Sequence, residues 1–115
     1  MNKKRRTVLN TVLDGLERLR DPIDKQEAIK LLQDAQIQIE QCADDEQDAF
    51  DGLPESFRWS ERSDAMSDNI SDLFEASADL EILAEDVRST DVFNYDSIKP
   101  EVANIVNSIK QAIHR

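Results

Sequence analysis

The chain has 115 residues, enough for one domain, with 39% apolar residues, 5% aromatic residues and a formal net charge of −11. Two Gly and three Pro are too few turn-formers for an all-β fold, and the single Cys42 excludes both an internal disulfide and a Cys-based zinc site. An isoelectric point near 4.4 argues against direct binding to nucleic acid, whose phosphates demand cations.

The basic start, Lys3-Lys4-Arg5-Arg6, reads first as a frayed leader over residues 1–6, and alternatively as a segment that pairs with the acidic middle of another copy. It is not a signal peptide, because Asn10, Asp14 and Glu17 interrupt the apolar run that must follow. No apolar stretch approaches the ~20 residues that span a bilayer. The expectation is a soluble protein of the cell interior. A first helix is predicted from about Thr7 to Arg20, where Leu9, Val12, Leu16 and Leu19 step by helical intervals. Asp21-Pro22 then reads as a break and restart, with Asp21 as N-cap and Pro22 in the first turn.

A second helix is predicted from about Pro22 to Asp51. Ala28, Leu32, Ala35, Ile39, Cys42, Glu46 and Ala49 alternate steps of four and three, a heptad seam with one polar member, Glu46. Gly52 fits a left-handed C′ position and Pro54 enforces the stop. Ser60 is the expected N-cap of a third helix that runs to about Arg88. Its seam is Met66, Ile70, Leu73, Ser77, Leu80, Ala84 and Val87, broadened by Phe74, Ala76, Ile82 and Leu83. After a loop through Asp96, a fourth helix starts near Ser97 or Pro100 and carries Val102, Ile105, Val106, Ile109, Ala112 and Ile113 on one face.

The expected fold is therefore all-α and single-domain over residues 1–115. A long antiparallel helical hairpin is flanked at one end by two short helices, as in a four-helix bundle. Residues 43–68 then form a hairpin tip with nothing to cover it. That tip holds Phe50, Leu53, Phe57, Trp59 and Met66. These residues either plug the turn against each other or form an exposed patch for a partner or a second copy.

Charge is segregated along the chain. Between Lys30 and Arg88 lie two bases, Arg58 and Arg62, against seventeen acids, a net −15; the remainder has twelve bases against eight acids, a net +4. Like charges three or four apart on a helix each cost about 0.2–0.5 kcal/mol. A cationic partner would offset that cost. Asp64, Asp68, Asp72, Glu75, Asp79 and Asp86 form a stripe on the third helix, with neighbours roughly 5–6 Å apart. Phosphates along a DNA strand are spaced roughly 6–7 Å apart, so such a stripe suits a groove built for nucleic acid. The plainer reading is a solvated face kept for solubility. Asp44, Asp45, Glu46, Asp48, Asp51 and Glu55 form a second cluster at the tip. Asp44, Glu46, Asp48 and Glu55 fall at the first, third, fifth and twelfth places of a calcium loop, but Ala49 stands where that loop needs Gly, and the heptad continues through the cluster. No metal or cofactor is expected. Cys42 reads as a small buried hydrophobe. No nucleophile elbow, phosphate-cradling Gly loop or Ser/His/Asp set is present, so no enzymatic activity is expected.

The run from Asp45 to Phe57, with Ser60-Glu61-Arg62 and Met66, resembles small acidic helical proteins of phages and mobile elements of Gram-positive bacteria. Their pattern is DEQxAFDNLPESL…SERGExM. The likeness covers about a fifth of the chain, and its departures from the pattern include Gly52, where the pattern has Asn, and Ser63, where it has Gly. It implies a bacterial cytoplasmic setting and a class whose members often inhibit host machinery, CRISPR nucleases included. The expected function is a non-enzymatic binding protein that occludes a basic, nucleic-acid-binding surface of a host protein. The contact residues would be Asp44, Asp45, Glu46, Asp48, Phe50, Asp51, Leu53, Glu55, Phe57, Trp59, Asp64, Asp68, Asp72, Glu75 and Asp79. The rival expectation is a structural dimer joined through the tip.

Overall fold

In a computed structural model, residues 1–20, 23–57 and 59–115 are described. Every regular element among them is helical: α1 (Lys3–Glu17), α2 (Lys25–Asp51), α3 (Glu61–Ser89) and α4 (Lys99–His114), with short 3₁₀ turns at Glu55–Phe57 and Tyr95–Ser97. At ~1.5 Å per residue, α2 and α3 are roughly 40 Å long, and α1 and α4 roughly 23 Å. The molecule measures 54 × 21 × 19 Å. The two long helices pack along each other, α1 packs on α2, α4 on α3, and α1 meets α4 to close the ring.

The heptad seams explain this packing. From Ala28 to Glu46 on α2, and from Met66 to Val87 on α3, every seam position is buried. They join Leu9, Val12, Leu13 and Leu16 of α1 and Val102, Ile105, Ile109, Ala112 and Ile113 of α4. At the edge of the seam Gln36 Nε2 donates to Ser77 Oγ at 3.1 Å, which gives the buried Ser77 hydroxyl a partner. At the opposite end from the α2–α3 turn, Lys25 Nζ donates to the Thr90 carbonyl, linking the start of α2 to the end of α3.

Several boundaries differ from the sequence reading. The basic leader is not frayed: α1 begins at Lys3, and Asn2 Oδ1 accepts from the Arg5 amide at 2.9 Å as its N-cap. Asp21 and Pro22, read as cap and first turn of the second helix, lie outside the described residues. Helix α2 starts at Lys25 behind Asp24. Gly52 is not left-handed. Its φ of −83° and ψ of −3° prolong the right-handed turn, and the Glu55–Phe57 turn changes the chain direction instead. Phe74 and Ile82 do not broaden the core face; they are 38% and 61% exposed.

Ser60 caps α3 as expected. Its Oγ accepts from the Ser63 amide at 3.2 Å and donates to the Phe57 carbonyl at 2.7 Å. Ser63 Oγ donates back to the Ser60 carbonyl at 2.8 Å. Ser60→Ala is therefore expected to lower stability by about 1 kcal/mol in urea unfolding, while Ser60→Asp retains most of it.

Candidate functional site

The region of interest is the α2–α3 turn, and its limit is set by two arginines. Glu46 occupies a seam position, is fully buried, and demands a cation. Arg5, one turn into α1, supplies it: Nε lies 3.2 Å from Glu46 Oε2. The Met1 amine lies 3.9 Å from Oε1, near enough for charge attraction and too far for a hydrogen bond. Oε1 has no hydrogen-bond partner among the described residues. On the other long helix, Arg115 at the end of α4 places Nη1 2.7 Å from Asp72 Oδ2 and donates to Asn69 Oδ1 at 3.2 Å. Asn69 is itself buried. An arginine near the start of α1 and another at the end of α4 thus each grip the long helix beside them. Past these two contacts continue α2, α3 and their turn, with the first residues of α1 beside them.

The sequence reading left residues 43–68 wholly uncovered, and this requires correction. Met1, Asn2 and Arg5 share a cavity of about 150 Å³ with Glu46, Ala49, Leu53, Arg62 and Met66. The start of α1 therefore shelters the lower part of the tip. Met66 is buried, and Phe50 and Leu53 are half-buried. Beyond that shelter, Phe57 is 56% exposed and Trp59 is 91% exposed. The plug and the patch coexist: Phe50 and Leu53 face partly inward, while Phe57 and Trp59 face water.

The fifteen expected contact residues divide in the same way. Asp44, Asp45, Asp48, Asp51, Glu55, Asp64, Asp68, Glu75 and Asp79 are exposed. Glu46 is not available to a partner, because α1 covers it and Arg5 pairs with it. Asp72 is half-buried and already paired with Arg115, so the acidic stripe on α3 is broken in its middle. The Asp44–Asp51 cluster stays on a continuous helix, not on a calcium-type loop. Arg5 and Arg115 were missed. The signal for Arg5 was present, since a lone Glu in an apolar seam requires a cation and four bases stand at residues 3–6.

Burial pushes the Cys42 thiol up, with Asp45 and Glu46 adding to the shift and Arg5 opposing it. The same burial disfavours the thiolate, the form in which a cysteine acts as a nucleophile. No helix among the described residues is long and apolar enough to cross a membrane. Comparison with known protein families, with curated proteins and with solved structures gives no match.

Proposed function

We propose that the chain is a non-enzymatic binding protein that uses the α2–α3 turn to occlude a basic surface of a partner. The observation that carries this reading is Trp59. A tryptophan 91% exposed forfeits most of the burial energy its ring offers, and it stands at the end of a long, otherwise well-packed helical molecule. Aromatic anchors dominate interface energies, whereas rim charges chiefly speed and orient encounter. Asp48, Asp51, Glu55, Asp64 and Asp68 supply such a rim in this part of the chain.

In its specific form the reading takes a long helical hairpin flanked by two short helices as a delivery device. Its target is a nucleic-acid groove of a bacterial host protein, with a defence nuclease among the candidates. The likeness of residues 45–66 to mobile-element proteins supports that setting, and the acidic rim supports a cationic target.

The test is a pull-down from bacterial host lysate with and without nuclease treatment, followed by titration of the captured protein at rising ionic strength. The expected partner is basic, is retained after nuclease treatment, and loses affinity steeply as salt increases. An affinity unchanged between low and high salt contradicts the occlusion reading. A chain that is dimeric in solution, and becomes monomeric when Phe57 and Trp59 are replaced by Ser, favours a structural dimer instead.

A further inference from the structure

Away from the turn, the outer face between α2 and α3 carries a second apolar feature. Ile37 is 60% exposed and Ile82 61%. Both line a groove of about 630 Å³ with Gln33, Gln36, Glu81 and Glu85. Helices α1 and α4 close the ring of four without filling this groove. A shallow channel between two packed helices is the geometry that receives a third helix, whose side-chain ridge seats between theirs.

The rim identifies the chemistry of that helix. Glu81 and Glu85 stand on the α3 side. On the α2 side the lining is uncharged: Gln36 Nε2 donates to Glu40 Oε2 at 2.9 Å, and Glu40 itself stands outside the lining. Arg88, also in the lining, pairs with Glu85 at 2.6 Å, so those two charges largely cancel and Glu81 is the unpaired carboxylate of this lining. Across Ile82 a further groove of about 240 Å³ is lined by Asp79, Asp86 and Glu101. Ile82 is therefore an apolar ridge with carboxylates on both flanks.

We propose that this face docks a cationic amphipathic helix of a partner protein. Aliphatic anchors at i, i+3 or i+4, and i+7 would cover Ile37 and Ile82, with Lys or Arg against Glu81 on one flank of Ile82 and Asp79, Asp86 and Glu101 on the other. A second copy of this chain does not supply that helix. Of its exposed helical bases among the described residues, Lys3, Lys4, Arg6, Lys99 and Lys110 lie on α1 and α4, which bear no exposed large apolar side chain, and Lys30, Arg62 and Arg88 stand on α2 and α3 among a majority of acids. Two copies packed groove to groove would oppose like charges. The proposal is independent of Trp59 and of the reading of the turn.

The test is an NMR titration of the isotope-labelled full chain with a synthetic Leu/Lys peptide of about 18 residues, long enough for a stable helix, whose leucines form one stripe. A scrambled peptide of the same composition is the comparison. The expected result is shift changes concentrated at residues 33–40 and 78–88, with the striped peptide at least about tenfold tighter than the scrambled one. Ile37→Ser with Ile82→Ser should weaken it about tenfold, and Trp59→Ser should leave it unchanged. Both isoleucines are exposed, so the double variant should fold, as circular dichroism would verify. Equal binding of the two peptides, shifts centred on the turn, or no effect of the double variant overturns the proposal. So does a dimer in sedimentation that the double variant dissolves.

Discussion

Arg5→Ala is expected to destabilise the protein by about 3 kcal/mol, lowering the thermal midpoint by roughly 10 °C. The loss does not come from the pair being strongly favourable. Two charges taken out of water recover, through their mutual attraction, little more than the desolvation they incur. It comes from what remains: a Glu46 carboxylate that is fully buried and left, among the described residues, with the Met1 amine at 3.9 Å as its ion-pair partner. Replacing both partners by apolar groups, Arg5→Met with Glu46→Leu, removes the orphan charge and should cost less than about 1 kcal/mol. The cycle is measured by urea unfolding of the four proteins. A change below about 0.5 kcal/mol for Arg5→Ala would mean that residues 1–6 are frayed after all.

The second large effect is on binding. Trp59→Ser with Phe57→Ser is expected to reduce affinity for the captured basic partner at least about thirtyfold, near 2 kcal/mol, because anchor side chains of this type carry the most energy in an interface. Stability should change by no more than about 0.5 kcal/mol, since Trp59 lies almost wholly in solvent. That split between unchanged folding and lost binding separates a contact residue from a core residue. Asp51→Asn with Glu55→Gln should act differently, slowing association and flattening its salt dependence with a smaller effect on dissociation.

The long helices were legible in the sequence because heptad spacing over several turns admits only one register. Every position from Ala28 to Glu46 and from Met66 to Val87 that fell on the seam is buried. The cap at Ser60 was legible because its hydroxyl precedes a helical run. The start of α1 was not, because Lys3-Lys4-Arg5-Arg6 carries no apolar period, and what orders it is a distant carboxylate forty-one positions away. Gly52 misled because a glycine after a helix usually marks a left-handed turn; here the chain stays right-handed into a 3₁₀ turn. The acidic stripe was read from spacing alone. Spacing placed Asp72 on a face but gave no hint that Arg115 would reach it. The exposure of Ile37 and Ile82 was equally hidden, since it depends on where α1 and α4 settle.

Trp59 lies in water in the free chain, and the proposed function requires that a basic partner cover it. Trp59 is the sole tryptophan, so intrinsic fluorescence reports on it alone. The native protein should emit at nearly the wavelength of the protein in denaturant, be quenched by acrylamide almost as readily, and shift to the blue only when the basic partner is added. A native emission already shifted to the blue and shielded from acrylamide would contradict it, whether the cover comes from the chain's own helices or, with concentration dependence, from a second copy.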